Sequence, residues 1–109
     1  MSDILGAFEQ AVLLGLVRLG PGAYGRAILK DVQTRLARDV AAGAVYATLD
    51  RLEEKGLISS RLGPGTAVRA GKPRRYYAIE DAGVQALNDS KAAVEHLWRG
   101  FRWPLRGRV

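Results

Sequence analysis

The sequence predicts a mainly α protein with a small β-hairpin. The expected arrangement is a winged helix-turn-helix with a further helix at each end. Three observations carry that expectation. The stretch Gly43 to Ile58, GAVYATLDRLEEKGLI, places Val45, Leu49 and Leu52 four and three residues apart, one stripe of an α-helix. Gly56 then marks its end, and Leu57 to Leu62 reads as a strand. A loop rich in glycine and proline leads into Lys72 to Ile79, where Tyr76 and Ala78 alternate with Tyr77 and Ile79 as in a second strand. Finally, charge is segregated. Lys55 to Ile79 holds six basic residues and no acid, and Arg99 to Val109 holds four arginines and no acid. The remaining seven basic residues face all eleven acids. Such segregation, on a chain of net charge +6, points to a polyanionic partner.

Composition narrows the function classes. With 109 residues there is room for one core only, and 48% hydrophobic content against 26% charged is an ordinary globular balance. No cysteine is present, which removes disulfides, thiolate nucleophiles and cysteine-based zinc sites. His96 is the single histidine, so one chain cannot build a histidine pair for a metal or a proton relay. Neither a nucleophile–base pair nor a converging pair of carboxylates is visible, so an enzyme is not expected, and no cofactor is expected either. Glu53 and Glu54 are neighbours on a helix and point about 100° apart, which reads as a solvated face. The N-terminal residues carry no signal-peptide pattern, and Ala11 to Val17 is too short to span a bilayer. A cytoplasmic location and no membrane contact are the expectation.

In chain order, the first helix is expected over Ile4 to Leu19, capped by Ser2 or Asp3. Leu5, Phe8, Val12, Leu16 and Leu19 form one stripe, while Leu13 and Val17 extend the apolar surface most of the way round. The second side faces either a thick single core or another subunit. Gly20-Pro21-Gly22 stops this helix. A second helix follows from Ala23 to Leu36, with Tyr24, Ile28, Val32 and Leu36 on one face, and Val40 is expected to pair with the wing as a one-residue strand.

The third helix, Gly43 to Lys55, turns Val45, Leu49 and Leu52 inward. Ala44, Ala47, Thr48 and Arg51 lie on the other face, beside Gly43 at the start. Small side chains followed by a long cation suit a helix entering a DNA major groove, and an ordinary half-exposed helix remains open on this stretch alone. The wing tip, Gly63 to Lys72, lacks the phosphate-loop pattern Gly-x-x-x-x-Gly-Lys-Ser/Thr, so it is read as a flexible hairpin. That hairpin brings Arg69, Lys72, Arg74 and Arg75 to a DNA groove or backbone. The last helix, Asp81 to Phe101, carries an apolar stripe of Val84, Leu87, Val94, Leu97, Trp98 and Phe101 with nothing left in so small a core to cover it. Residues 1–80 thus form the DNA-binding unit, 81–101 a dimerisation helix, and 102–109 a basic tail.

The segments AYGRAI, GAVYATLDRLEEKGLI and GKPRRYYAI resemble the PadR family of bacterial transcriptional regulators, and the resemblance covers nearly the whole chain. The single short C-terminal helix is similar to the compact subgroup of that family. The resemblance implies a homodimer that binds double-stranded DNA at a pseudo-palindromic operator and represses. It implies that the last helix of one subunit packs on the first helix of the other, through Leu5, Phe8 and Val12 and the stripe above. It also implies a role for Tyr24, near the DNA backbone, and for Tyr46, whose hydroxyl reaches a phosphate while its ring rests on protein. Trp98 is then either a plain interface anchor or the lining of a pocket for a small aromatic effector. One departure stands out. Where the family commonly has a capping serine or threonine, this chain has Val40-Ala41-Ala42-Gly43. The free N–H groups there are left to Asp39 or to a DNA phosphate. The competing reading is a non-enzymatic winged helix that docks on protein or RNA.

Overall fold

The computed structural model describes residues 4–63 and 73–107. Helix α1 spans Ala7–Leu19, and a short 3₁₀ turn at Gly20–Gly22 leads to α2 at Gly25–Leu36. Helix α3 is Ala42–Glu54, strands β1 (Ile58–Gly63) and β2 (Arg74–Ile79) form an antiparallel hairpin, and α4 is Asp81–Trp98. The hairpin register pairs Ile58 with Ile79 and Arg61 with Tyr76.

Helix α1 is the hub of the core. Val12, Leu13 and Leu16 from α1 meet Ile28 and Val32 of α2, Val45, Leu49 and Leu52 of α3, and Ile58 and Tyr77 of the hairpin. The helix begins later than expected. Gly6 is its cap residue, not Ser2 or Asp3, which lie outside the described residues. Glu9 Oε1 accepts from the Gly6 N–H at 3.2 Å, and Lys55 Nζ lies 3.0 Å from Glu9 Oε2, tying α1 to the end of α3. Burial alone would raise the Glu9 carboxyl. Lys55, the Gly6 N–H and the nearby Arg51 outweigh it and hold the carboxyl below its ordinary value. On the other side of α1, the Arg18 guanidinium meets Asp31 of α2 through two bonds, at 3.0 and 2.6 Å, and lowers the Asp31 carboxyl.

Helix α3 ends as its sequence indicates. Gly56 has φ +75°, its N–H donates to Glu53 O at 2.9 Å, and the Leu57 N–H donates to Leu52 O at 3.0 Å. These paired bonds are those of a Schellman cap, which turns the chain directly into β1. Gly83, a costly residue near a helix start, is explained by crowding. A Cβ there would collide with the Leu57 carbonyl and come within 2.7 Å of Ile79 Cγ1. Only glycine lets α4 start this close to the hairpin.

Helix α4 is anchored only over its first half. Gly83, Ala86 and Ser90 are buried, and Ser90 Oγ accepts from the Leu5 N–H at 2.9 Å. No residue of α4 beyond Ser90 is buried. The molecule measures 61 × 31 × 20 Å, with a radius of gyration of 16.4 Å. A compact chain of this length would have about 13 Å. The helix ends at Trp98, short of the expected Phe101, with Gly100 at φ +90°.

The strand pairing at the base of the wing corrects one expectation. Val40 is not the extra strand residue; its carbonyl accepts from Gln33 Nε2 at 3.0 Å. The segment entering α2 takes that place. Tyr24 bridges Tyr76, and the Tyr77 N–H donates to Ala23 O at 2.8 Å. Tyr24 is therefore the extended residue before α2, one step outside the helix it was expected to join.

Candidate nucleic-acid interface

Two helix N-termini and the base of the wing converge on one cleft of about 620 Å³. Tyr24, Gly25 and Arg26 come from the start of α2, Ala42 and Tyr46 from the start of α3, and Leu62, Arg74 and Arg75 from the hairpin. Three arginines line it and no acid does. Neither helix start is capped by a side chain: Tyr24 and Ala41 are the cap residues, and Asp39 does not reach forward. Uncapped N–H groups at two helix starts and three guanidinium groups make this cleft attractive to an anion.

Tyr46 lies across the start of α2. Its ring occupies the space a side chain at Gly25 would need, with Cε1 only 2.5 Å from an ideal Cβ. The residue is nevertheless 45% exposed. Its hydroxyl as well as its ring rests on Gly25, at the edge of the cleft; the sequence reading sets the ring against protein and the hydroxyl toward DNA. Tyr24 carries a second cation. The Arg74 guanidinium carbon sits 4.0 Å from the centre of its ring. The Tyr24 ring meets Tyr76 edge to face at 6.0 Å, and Arg61 covers Tyr76 at 5.0 Å. Arg75 is held by a hydrogen bond instead. Its Nη1 donates to Ser60 Oγ at 2.9 Å, and Ser60 in turn donates to Glu53 at 2.8 Å.

The outer face of α3 is only partly what its spacing suggested. Gly43, Ala44, Ala47 and Arg51 are exposed. Thr48 is not: it is 1% exposed and accepts from Arg51 Nη2 at 3.0 Å. A 100° advance per residue places Thr48 beside Val45 and Leu49 on the inward side, and the same bond draws the Arg51 head back along its own helix. Arg69, Lys72 and the rest of the expected wing tip lie outside the described residues. Arg26, which follows the Tyr-Gly pair directly, was missed as a member of the cleft. Arg61 lies outside the cleft lining but stands opposite Tyr76, a pairing fixed only by the hairpin register.

The pattern described as "Transcriptional regulator PadR-like family" matches residues 13–89, well over half of the chain. The chain belongs to the PadR-like family. Members of this family are transcriptional regulators, not enzymes, and this PadR-like chain has the winged-helix fold of their structures. It is 31% identical over 96 residues to the transcriptional activator GvpE2 of Halobacterium salinarum, covering 87% of this chain and 41% of that protein. It is 40% identical over 60 residues to the transcriptional regulator Rv3488 of Mycobacterium tuberculosis, covering 55% of this chain and 52% of that one. The chain thus spans about two fifths to one half of the length of these relatives. A PadR family transcriptional regulator from Eggerthella lenta superposes with a TM-score of 0.64 at 32% identity, covering 82% of this chain and 75% of that structure.

On this PadR-like fold, the surfaces expected for dimerisation divide in two. Leu5 and Val12 are filled by the chain's own core, because the stripe they belong to faces α2, α3 and α4, and Phe8 packs partly against that core. The exposed apolar residues of α1 are instead Leu14 and Val17. On α4, Leu87 is partly buried within the chain, whereas Val84, Val94, Leu97 and Trp98 are exposed, as is Phe101 beyond its end. Among the described residues no helix is long and apolar enough to cross a membrane.

Proposed function

We propose that this chain acts as a homodimeric regulator that binds duplex DNA at a pseudo-palindromic operator. The carrying observation is the acid-free cleft lined by Arg26, Arg74 and Arg75 at two uncapped helix starts, next to the exposed face of α3. In this reading each subunit lays Gly43, Ala44, Ala47 and Arg51 in a major groove. Tyr46, Arg74, Arg75 and the helix N-termini hold the flanking phosphates, and Arg69 and Lys72 follow the wing into the adjoining groove. Half-sites lie about one helical turn apart. Residues 1–80 serve as the DNA-binding unit, and 81–101 join the subunits through Val94, Leu97, Trp98 and the Leu14–Val17 side of the partner's first helix. The basic residues at 102–109 add charge. Occupancy of the operator represses, and a small planar aromatic compound stacked on Trp98 at the subunit interface releases it.

Fluorescence anisotropy tests the reading, with DNA from upstream of the chain's own gene against shuffled DNA of equal length, across a salt series. Six to ten phosphate contacts per dimer should cost roughly 10³- to 10⁵-fold in affinity between 50 and 200 mM salt. Discrimination against the shuffled duplex should persist at physiological salt. Equal binding to both, or to RNA of the same length, would defeat the proposal. A reporter that falls when the gene is deleted would show activation in place of repression.

A further inference from the structure

We propose that Tyr24 is a positioning residue, whose ring holds the Arg74 guanidinium at the cleft with its edge presented to the DNA backbone. The proposal rests on the DNA-binding reading above and assigns Tyr24 an indirect part in it. Arg74 is fixed by stacking. Its guanidinium lies 4.0 Å from the Tyr24 ring centre, and its Nε is buried with no hydrogen-bond partner among the described residues. The aromatic face therefore orients this cation, and among the described residues no acceptor meets its Nε. A guanidinium carried over a ring keeps its terminal Nη pair available, and two such N–H groups can meet a phosphate bidentately.

Tyr24 can serve as a platform because it is itself immobilised. Its backbone bridges Tyr76, and the adjoining Ala23 carbonyl accepts from the Tyr77 N–H at 2.8 Å. Its ring meets that of Tyr76 at 73°, and Arg61 lies over the Tyr76 ring. Arg61, Tyr76, Tyr24 and Arg74 thus follow one another in a ladder, two rings between two cations, that joins the wing to the start of α2. The Tyr24 ring face turned to Arg74 is occupied, so Tyr24 reaches DNA through the arginine. A long side chain that would otherwise sample many rotamers is ordered before DNA arrives, and less freedom is lost on binding.

The experiment is a double-substitution cycle on the full chain: Tyr24→Phe, Tyr24→Leu, Arg74→Ala and Tyr24→Leu with Arg74→Ala. Affinity is read by anisotropy over a salt series, beside thermal melting of each free protein. Tyr24→Phe keeps the ring and should bind within about two-fold of the parent, since both rings offer a π face. Tyr24→Leu should bind roughly 3- to 30-fold more weakly. Its salt slope should fall by about 0.9 per subunit, the mark of one lost phosphate contact. In the Arg74→Ala background, Tyr24→Leu should cost nothing more. Additive losses would overturn the proposal, because Tyr24 would then contact DNA by itself. A lower melting temperature with an unchanged salt slope would overturn it too, leaving Tyr24 a merely structural residue. A parent chain that binds duplex DNA while Arg74→Ala binds equally well removes this role alone. A parent chain that does not bind duplex DNA removes the DNA-binding reading and this role together.

Discussion

Gly25→Ala offers a stringent test of the cleft, because it acts on Tyr46 without touching DNA. An ideal Cβ at Gly25 would lie 2.5 Å from Tyr46 Cε1 and 2.6 Å from Cζ, with the hydroxyl closer still. Restoring an ordinary carbon–carbon separation of about 3.5 Å requires the ring to withdraw by about 1 Å. It can do so cheaply, since Tyr46 is 45% exposed and the obstructing atoms are the far end of a side chain. The new alanine gains at most about 1 kcal/mol of helix propensity, so global stability should change by no more than about that amount. The hydroxyl, however, leaves hydrogen-bond range of any phosphate seated at the start of α2. A bond to a charged group contributes about 1.5–3 kcal/mol. That corresponds to roughly 10- to 150-fold in affinity for each half-site. Anisotropy with the operator duplex should show this loss for Gly25→Ala, and a similar loss for Tyr46→Phe, with circular dichroism melts shifted by no more than about 8 °C. Parental affinity in both variants would refute the placement of the hydroxyl. Cooperative unfolding of Gly25→Ala at room temperature would refute the claim that the ring, and not the backbone, yields.

Three further outcomes follow from the same structure. Gly83→Ala should lose about 1–3 kcal/mol in urea denaturation, because the new methyl meets the Leu57 carbonyl and Ile79, and backbone cannot swing aside as Tyr46 can. Leu97→Asp should weaken self-association at least about 100-fold in analytical ultracentrifugation, since two-fold symmetry would remove two buried leucines at about 1.5–3 kcal/mol each. Melting temperature against pH should be flat near neutrality and fall in acid: Glu9 and Asp31 are both held below their ordinary values, so their contribution is complete above about pH 5 and disappears as pH drops through the lower folded-state values. Arg18→Met should blunt that acid limb, and an unchanged limb would show that the Arg18–Asp31 pair does not couple to folding.

Much of the fold was legible because helical spacing, glycine stops and strand alternation are local signals. Gly56, Val45, Leu49 and Leu52 declare α3 without reference to the rest of the chain. What was not legible depended on distant partners. Val40 and the segment Ala23–Tyr24 are equally able to pair with β2, and only the packing of α2 decides that Tyr24 does. Thr48 is polar and was read onto the outer face, yet the helix places it beside Val45 and Leu49, where its hydroxyl accepts from Arg51 within its own helix. Leu5 and Val12 look like surplus apolar surface until α4 returns to cover them through Ser90. Gly83 is a flaw by helix propensity, and only the approach of Leu57 and Ile79 turns it into a requirement. The cleft itself was half legible. Tyr24, Tyr46, Arg74 and Arg75 were read from sequence and Arg26 was not, and the ladder that orders Arg74 joins residues from opposite parts of the chain.

The composition of the α3 face bears on where selectivity would arise. Thr48 is sealed, and Arg51 is bonded back to it. Gly43, Ala44 and Ala47 have no side-chain donors. Small apolar groups in a major groove can contact thymine methyls, but they cannot read a guanine edge. On the proposed reading, the arginines and Tyr46 supply affinity that is largely indifferent to sequence, and each half-site alone discriminates weakly. Selectivity then depends on two half-sites held at one separation, which is fixed by the subunit interface and not by the recognition helix. This makes the distal half of α4, which contacts no base, a determinant of specificity. Leu97→Asp should therefore leave strong, salt-sensitive binding to random duplex largely intact while the preference for the operator collapses. Retained preference in a monomeric variant would place the selectivity back on α3, with Arg51 released from Thr48 as the residue able to carry it.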